Sequence, residues 1–432
     1  LVVALIDSRL YAMMGVHLYS PVVIDSLGNP NANREFQLGW RSFASFGGFL
    51  VVLALLEWGV YRGSKALSER FAGLPAGRIW FGLTAGCAAM GLVSVTAGAR
   101  DFSTAEHTFI AAIPGAGMFL EVPSFDPGQV AVNYPVVKAQ GAMVRLPDIV
   151  FLQVESLRSD MLTPELMPRV SEFLKSGHCA ASERHYSGGN TTEYGTFTLL
   201  YGLSSLHYDP FLLAETPSWP LQLLKLNSYR VMGASASSLE TWNGAAFMTK
   251  QLDPYQEFLV APAWSGDRSV IDFAKGEFAK RRGDPRFLFL FLNATHHNYH
   301  YPPEFERHAP VMAPDYDHFM GDERLLKHRI ELKNRYLNAV GYVDALTGEL
   351  LDVLKPRMAD GDAILVFTGD HGEEFWEHGL LGHAATRFID ERNQVPLLLC
   401  GLPEKAPIPL STHADVWPTV LRALGFGMTP TA

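Results

Sequence analysis

The sequence predicts an α/β domain with a mainly parallel central sheet flanked by helices, preceded by transmembrane helices. Three short apolar runs predict the sheet: Ile149 to Val154, Phe287 to Leu292, and the run that begins at Ala363. Continuous apolar runs of this length, without alternation, fit strands buried on both faces. Each run ends in polar residues, and open α/β sheets bind ligands beyond the carboxyl ends of their strands. The three polar groups are therefore expected to converge.

The run from Ala363 leads directly into Asp370 and His371 in a histidine-rich loop. An adjacent carboxylate and imidazole suit a transition-metal ion. An isolated Asp-His-Gly sequence is more often a surface turn. The metal interpretation is favoured because the first run ends in Glu155 and the second ends shortly before His296, so all three deliver potential ligands at a strand end.

A loop with two glycines and two threonines precedes a predicted helix. Gly188 and Gly189 permit close backbone approach, and the residues that follow turn helical, which places Thr191 near a helix amino terminus. Backbone N–H groups and the helix dipole there favour anions. A coordinated divalent cation would activate the Thr191 hydroxyl as a nucleophile. Ordinary helix capping is the alternative role of Thr191 and Thr192.

A second helix signal lies upstream of this loop. Thr163 as N-cap and Pro164 at the first helical position predict a helix that runs to about Ser176, before Gly177.

Composition excludes one class of partner. The chain has 432 residues, 48% of them hydrophobic, and a net charge of -10. These values allow a large core. The sequence contains no stripe of basic residues that would indicate nucleic-acid binding.

Two apolar segments predict membrane spans. Residues 79–99 carry no charge and are about as long as a bilayer-spanning helix. Residues 43–61 form a second candidate, weakened by Glu57. Basic residues dominate the connection between them, so it is expected to face the cytoplasm. The chain after Ala99 is then expected outside the cytoplasm.

The predicted organisation has three parts. Residues 1–99 form a membrane region of about two or three spans, which begins at Leu1 and is expected to lack an amino-terminal portion. Residues 100–146 form a linker, and residues 147–432 form an extracytoplasmic catalytic domain. Spacing does not reveal whether Cys179 and Cys400 pair. The absence of a Cys-x-x-Cys motif argues against a cysteine zinc site.

From about Pro147 to Leu424 the chain resembles the sulfatase-like branch of the alkaline phosphatase superfamily. It is most similar there to the membrane-anchored lipoteichoic acid synthase, phosphoglycerol transferase and phosphoethanolamine transferase group. The motifs that carry the resemblance are Val-Glu-Ser-Leu-Arg, Gly-Asn-Thr-Thr, Thr-His-His-Asn-Tyr, Gly-Asp-His-Gly-Glu and Leu-Gly-His-Ala. The segment from His413 to Thr419 resembles one common near the end of sulfatase-fold domains.

The resemblance implies roles for six residues. The implied metal ligands are Glu155, Thr191, Asp370 and His371, with Thr191 also the nucleophile. The implied ligands of the substrate phosphate, or of a second metal, are His296 and His383. One Mn²⁺ or Zn²⁺ ion fits a shell of carboxylates, one histidine and one hydroxyl better than Mg²⁺ or Ca²⁺.

The implied function is metal-dependent transfer or hydrolysis of phosphate-ester head groups, of phosphoglycerol or phosphoethanolamine type, on envelope lipids or glycans. The expected location is a bacterial inner (plasma) membrane, with the catalytic domain periplasmic or extracellular. One alternative is a catalytically idle sulfatase-fold lipid sensor that regulates envelope biogenesis. A further alternative, sulfuric-ester hydrolysis, is disfavoured because the Cys-x-Pro-x-Arg or Ser-x-Pro-x-Arg sequence of true sulfatases is missing.

Overall fold

The computed structural model describes residues 134–135, 137–241, 245–280, 283–314, 316, 322–383, 388–403 and 407–430, with scattered positions between 47 and 63. The chain divides into two compact units, Leu1–Val23 with Leu38–Ser124, and Ile24–Gln37 with Phe125–Ala432. In the first unit, the positions described between 47 and 63 are helical. The predicted span 79–99 lies outside the described residues, and the span 43–61 is described in part. Among the described residues, no helix combines the length and the apolar character needed to cross a bilayer.

The described strands belong to the second unit. In chain order they are β1 (Val137–Gln140), β2 (Asp148–Val154), β3 (Cys179–Ala181), β4 (His185–Tyr186), β5 (Arg230–Ser235), β6 (Tyr255–Glu257), β7 (Arg286–Leu292), β8 (Ala363–Gly369), β9 (Glu374–Phe375), β10 (Leu381–Gly382), β11 (Leu397–Cys400), β12 (Ser411–Thr412) and β13 (Gly427–Pro430). Seven of them form one sheet in the order β3-β11-β8-β2-β7-β5-β6. Neighbours from β8 to β6 pair in parallel, whereas β11 pairs antiparallel with β8 and β3. The predicted mainly parallel sheet is confirmed.

The described helices of this unit cover both faces of the sheet. In chain order they are α1 (Pro168–Lys175), α2 (Thr192–Tyr201), α3 (Tyr208–Leu213), α4 (Trp219–Leu226), α5 (Ala246–Thr249), α6 (Trp264–Ala279), α7 (Asp322–Leu326), α8 (Arg329–Ala359), α9 (Asp390–Asn393) and α10 (Val416–Ala423).

The three predicted apolar strands are neighbours at the centre of the sheet. β2 lies between β7 and β8, and all three are buried along their length. Val154, the last residue of β2, pairs with Leu292 on one side and Gly369 on the other. The carboxyl ends of the three strands therefore lie at the same edge, and the residues that follow them start from adjacent points.

Alternate side chains of the central strand enter two separate apolar layers. On one face of β2, Val150 and Leu152 pack in the core that includes residues of α1, α6 and α8. On the other face, Phe151 packs in the core that includes residues of α2, α3, α4 and α10. Phe151 lies with its ring centroid 4.9 Å from that of Trp417. This three-layer arrangement explains why the strands are apolar throughout.

The predicted helix start at Pro164 is wrong. The helix begins at Pro168, although it ends at Lys175, close to the predicted end. A residue that precedes proline is disfavoured in the α conformation, and Met167 has φ -124° and ψ 63°. Pro168 therefore separates a turn that follows Thr163 from the helix itself.

Cys179 and Cys400 form a disulfide, a pairing that the sequence left open. The two cysteines are opposite each other in the antiparallel pair of β3 and β11. The bond joins residues 221 positions apart in the sequence, at one side of the central sheet.

Candidate metal centre and active site

Two glycines allow the loop after β8 to pass close to neighbouring backbone. A Cβ atom on Gly369 would lie 2.6 Å from the carbonyl oxygen of Leu157, and one on Gly372 would lie 2.1 Å from that of Glu391. A side chain at either position would therefore displace the loop. The residues between them, Asp370 and His371, are consequently held in a fixed position, with both side chains completely buried.

Three electron-rich atoms converge at this loop. His371 Nδ1 lies 2.9 Å from the carbonyl oxygen of Gly372, which can only accept, so Nδ1 carries a proton. In the neutral ring, Nε2 then presents a lone pair, and it lies 3.3 Å from Glu155 Oε1 and 3.4 Å from Asp370 Oδ2. The ligand atoms of these three residues all lie within 4.8 Å of one another. A proton or a cation is needed to stabilise such a group.

The end of β2 is shaped to complete this group. Ser156 follows Glu155 with φ of 56°, in the left-handed region that non-glycine residues rarely occupy. In this conformation the Ser156 N–H donates to Asp370 Oδ1 at 2.8 Å. Thr295, from the loop after β7, donates its hydroxyl to the carbonyl oxygen of Glu155. The ends of β2, β7 and β8 are thus directly bonded to one another.

The threonine hydroxyl that contacts the cluster belongs to Thr192, not to the predicted Thr191. Thr192 is the first residue of α2, and its Oγ1 donates to Glu155 Oε1 at 3.0 Å and lies 3.5 Å from His371 Nε2. Thr191 is the N-cap residue, but its side chain makes no capping hydrogen bond. Its buried Oγ1 forms no hydrogen bond with any residue that the structure describes.

The predicted His296 and His383 also lie at Glu155, and the His383 ring packs against that of His371 with the ring centroids 4.2 Å apart. Ligand atoms of Glu155, His296 and His383 are within 4.8 Å of one another, so Glu155 is common to two possible cation-binding groups. His383 Nδ1 lies 2.8 Å from Glu373 Oε2, and the hydroxyl of Tyr299 donates to Glu373 Oε1 at 3.1 Å. Glu373 is fully buried and therefore orients the His383 ring through Nδ1.

The pKa values of the first cluster reflect mutual proximity in a buried site. Burial, followed by the Asp370 carboxylate, raises the pKa of Glu155 to about 8. Burial also raises the pKa of Asp370, against the opposing effect of His371. Burial alone would lower the pKa of His371, but the Asp370 and Glu155 carboxylates raise it to about 10. Without a cation the cluster thus retains protons, and a divalent ion would displace them on binding.

Buried polar atoms that lack a hydrogen bond give an independent test of whether the residues fit a metal ion. Asp370 Oδ2 is buried and forms no hydrogen bond with any described residue, although Oδ1 of the same group accepts two. Buried polar atoms normally have partners. Carboxylate, imidazole and hydroxyl donors around one point are a suitable set for Mn²⁺ or Zn²⁺. The residues present therefore fit a divalent cation.

Arg158, three residues after Glu155, is not free to bind a substrate phosphate. It is buried and bonds both oxygens of Asp160, Glu377 Oε1 at 2.7 Å and the carbonyl oxygen of Glu373 at 3.0 Å. Arg158 instead fixes the loop that carries Glu373. Two site residues were not predicted in their observed roles, Thr192 and Glu373. The sequence does not show which of the two adjacent threonines meets Glu155. The role of Glu373 depends on its contact with His383, which only the folded structure shows.

The parallel sheet, with acid, hydroxyl and imidazole groups at its carboxyl edge, defines an alkaline phosphatase-like protein. The chain belongs to the sulfatase family, because the family model described as Sulfatase matches residues 147–426. An integral membrane protein, lipooligosaccharide phosphoethanolamine transferase A (EptA) from Neisseria meningitidis, has a similar structure, with a TM-score of 0.70 and 15% identity. That similarity covers 99% of this chain and 83% of the Neisseria chain.

Relatives that are similar in sequence include a protein of Haemophilus influenzae and one of Escherichia coli. An uncharacterized protein of Haemophilus influenzae is 24% identical over 451 residues, which cover 97% of this chain and 67% of that protein. Phosphoethanolamine transferase EptA of Escherichia coli is 31% identical over 107 residues, which cover 24% of this chain and 18% of that protein. The chain thus spans only part of the length of these relatives.

Proposed function

We propose that this protein transfers a phosphoethanolamine head group from a membrane phospholipid to an envelope lipid or glycan, at the membrane surface outside the cytoplasm. One observation carries the proposal. Glu155, Asp370 and His371 converge on one point together with a threonine hydroxyl at the amino terminus of α2. A helix amino terminus favours anions such as phosphate, and the buried acids and imidazole favour a cation beside it.

Glu155, Asp370 and His371 would hold a divalent ion, with Mn²⁺ or Zn²⁺ preferred on the donor set. Such an ion lowers the pKa of a coordinated hydroxyl and neutralises charge on the phosphate oxygens. The buried Asp370 Oδ2, which has no hydrogen-bond partner among the described residues, supports this assignment.

Thr192 is the nucleophile in this proposal. Its Oγ1 lies 3.0 Å from Glu155 Oε1, so the hydroxyl is already placed at the metal ligands. Thr191 stays the prediction of the sequence resemblance, and its buried hydroxyl is available to a bound phosphate. The two adjacent residues are separable by experiment, because each carries a single hydroxyl.

The reaction has two half-steps. Thr192 Oγ1 gives its proton to Glu155, to which it already donates a hydrogen bond, and attacks phosphorus, which forms a Thr–O–P bond and breaks the P–O bond to the lipid glycerol. The departing glycerol oxygen takes a proton, and the imidazoles of His296 and His383 are the nearby groups able to donate it. Glu373 holds His383 in one orientation through Nδ1. An acceptor hydroxyl then attacks phosphorus and gives its proton to the imidazole that lost one in the first half-step, which forms the new P–O bond and breaks the Thr–O–P bond. Thr192 Oγ1 takes its proton back from Glu155.

Ethanolamine is favoured over glycerol as the head group. The Escherichia coli relative with 31% identity over its matched segment is a phosphoethanolamine transferase. The structural neighbour in Neisseria is described as an integral membrane protein of the same type. The disulfide between Cys179 and Cys400 supports a domain outside the cytoplasm, since such bonds persist in oxidising compartments.

The first experiment compares Thr192→Ala with Thr191→Ala in the full chain. Purified protein is incubated with phosphatidylethanolamine in detergent, and release of diacylglycerol is measured. We expect Thr192→Ala to lower the rate at least about 1,000-fold, because the nucleophile is lost. Thr191→Ala is expected to retain most turnover. Fragmentation mass spectrometry of wild type should locate a phosphoethanolamine adduct on Thr192 itself. An adduct on Thr191 would contradict the choice between the two residues.

Metal removal provides the second test. Dialysis against a chelator should abolish diacylglycerol release, and Mn²⁺ or Zn²⁺ should restore it, whereas Glu155→Gln should not be restored. If the protein binds metal yet releases no diacylglycerol and forms no adduct, the proposed function is wrong. That result would favour the non-catalytic lipid sensor.

A further inference from the structure

The short segment between β12 and α10 contains a completely buried histidine that takes no part in the proposed reaction. His413 has no exposed surface, and both of its ring nitrogens have partners. Nδ1 lies 3.1 Å from the carbonyl oxygen of Gly195, in α2. Nε2 lies 3.2 Å from the hydroxyl oxygen of Thr368, in β8. One imidazole therefore bridges the helix of Thr192 and the strand that leads to Asp370.

The proton on this ring can be assigned. A carbonyl oxygen only accepts, so His413 Nδ1 carries the proton and donates to Gly195. Nε2 is then an acceptor, and the single proton of the Thr368 hydroxyl is shared between Nε2 and the carbonyl oxygen of Gly369, each at 3.2 Å. The neutral ring satisfies both neighbours at once, and a side chain with a single polar atom could satisfy only one of them.

The two elements that His413 bridges are in direct backbone contact. A Cβ atom on Gly195 would lie 2.0 Å from the carbonyl oxygen of Asp370, so only glycine permits this approach. Three residues before Gly195 along α2 is Thr192, whose hydroxyl contacts Glu155. A shift of α2 relative to β8 would therefore move the hydroxyl relative to Asp370 and His371.

We propose that His413 is a positioning residue for the reaction proposed above, on which this inference rests. By bonding the carbonyl oxygen of Gly195 and the hydroxyl of Thr368, it fixes the helix of Thr192 against the strand end that presents Asp370 and His371. Displacements of about 1 Å in an active site cost about 100-fold in rate, and loss of groups that orient metal ligands costs about 10- to 100-fold. His413 acts through these neighbours and touches neither substrate nor metal.

The helix that follows His413, α10, offers a matched control that contacts the opposite end of α2. Trp417 is also buried, and its Nε1 donates to the carbonyl oxygen of Leu200 at 3.1 Å. Trp417→Phe keeps an aromatic ring and removes this bond, far along α2 from Thr192. The Trp417→Phe variant therefore shows how the loss of one buried hydrogen bond to α2 affects folding when the end of α2 that carries Thr192 is not involved.

The experiment measures kcat and KM for diacylglycerol release from phosphatidylethanolamine, using the full chain in detergent. His413→Phe should lower kcat about 100-fold with KM within about twofold. His413→Asn keeps an N–H near the position of Nδ1 and should recover activity to within about tenfold of wild type. Trp417→Phe should leave kcat within about twofold. Equal kcat losses in His413→Phe and Trp417→Phe, or no recovery with Asn, would overturn the proposal.

A second readout does not depend on turnover. Mn²⁺ affinity, measured by electron paramagnetic resonance, should fall about tenfold in His413→Phe and stay at the wild-type value in Trp417→Phe. If wild type releases no diacylglycerol, the proposed function fails, and these affinities alone decide the role of His413. Unchanged affinity in His413→Phe would then end the inference. Should His413→Phe not fold, Thr368→Val, which removes the hydroxyl of the bridge, is expected to show the same loss of Mn²⁺ affinity.

Discussion

Asp370 gives its two carboxylate oxygens different surroundings. Oδ1 accepts from the backbone N–H groups of Ser156 at 2.8 Å and His371 at 2.7 Å. Oδ2 has no hydrogen bond to a described residue and lies beside His371 Nε2. One oxygen therefore fixes the group in the fold, and the other is left for a ligand. Buried carboxylate oxygens normally accept a hydrogen bond, whereas Oδ2 accepts none from a described residue and lies 3.4 Å from His371 Nε2.

Asp370→Asn should separate these two tasks. The amide oxygen can accept both backbone N–H groups, while an NH₂ group replaces Oδ2 beside His371. We expect the free energy of unfolding of the metal-free variant to stay within about 2 kcal/mol of wild type, because a buried carboxylate is removed while His371 keeps Glu155 as an ion-pair partner. Mn²⁺ binding and turnover should be lost. Urea unfolding with chelator and Mn²⁺ titration would measure the two effects.

Asp344→Asn is the matched control for this change. Asp344, in α8, is also buried and accepts two backbone N–H groups, from Arg169 at 3.1 Å and Val170 at 2.9 Å, both in the first turn of α1. Its replacement should leave Mn²⁺ affinity unchanged. Retained Mn²⁺ binding in Asp370→Asn would remove Asp370 from the proposed metal ligands.

At the scale of elements, the site depends on how closely α2 approaches β8. The loop before α2 also packs tightly, since a Cβ on Gly188 would lie 1.8 Å from Thr198 Oγ1 and one on Gly189 would lie 2.6 Å from Tyr194 Cβ. These two glycines were predicted to allow close backbone approach, and the structure shows that the partner is α2 itself. The helix amino terminus is therefore fixed by its own loop on one side and by Asp370 on the other.

Gly195→Ala tests the contact between α2 and β8. The added methyl group must push the helix away from the Asp370 carbonyl oxygen, so we expect a loss of about 1–3 kcal/mol in the free energy of unfolding. In this variant, metal affinity and turnover should fall by more than the decrease in the fraction of folded protein can explain. Gly341→Ala is the control, because Gly341 lies in α8 with nothing within 4 Å of an added Cβ. It should stabilise the protein by about 0.5–1 kcal/mol. Equal behaviour of the two variants would contradict the packing explanation.

At the scale of the whole molecule, one covalent bond and several buried ionisable groups link distant parts of the sequence. The disulfide joins β3 to β11, and His185 and His413 lie with ring centroids 5.0 Å apart between the central sheet and the carboxyl-terminal segment. Stability of the domain should therefore respond to redox conditions and to pH as a single cooperative unit.

Reduction should weaken the domain. A disulfide that closes a loop of this length restricts the unfolded chain, and its removal costs about 2–5 kcal/mol. Urea unfolding with and without dithiothreitol should show this difference in wild type. The double variant Cys179→Ser with Cys400→Ser should unfold at the lower urea concentration in both conditions. A wild-type midpoint that reductant does not change would show that the bond contributes little to stability.

Acid should also weaken the domain through His413. Burial lowers the pKa of His413 to about 4, below its ordinary value of 6.5. Between these values the unfolded chain binds more protons, so stability falls as pH falls from 6.5 toward 4, by up to about 3 kcal/mol. Burial also lowers the pKa of His185, which adds to the effect. Asp267 acts in the opposite direction, because burial raises its pKa to about 7.

The comparison of wild type with His413→Asn isolates this contribution, since Asp267 titrates in both proteins. The free energy of unfolding, measured between pH 7.5 and 4.5, should fall less steeply in the variant. Parallel curves for the two proteins would contradict a neutral buried His413.

Local patterns in the sequence determined the central strands, the polar residues at their ends and the identity of Glu155, Asp370, His371 and His296 as a potential site, whereas His383 was added by the family resemblance. These features are readable because apolar runs reflect burial of the residues that form them. The start of α1 was misplaced because two prolines, Pro164 and Pro168, give competing local signals.

Only the tertiary structure decided which threonine of the pair meets Glu155, that Cys179 pairs with Cys400, and that Glu373 orients His383. It alone placed His413 between α2 and β8. Most of these features are contacts between residues that are remote in the sequence. Which of the two adjacent threonines faces Glu155 depends on how α2 is rotated against the sheet. Spacing along the chain carries no record of such contacts, because they exist only after the sheet and helices have packed.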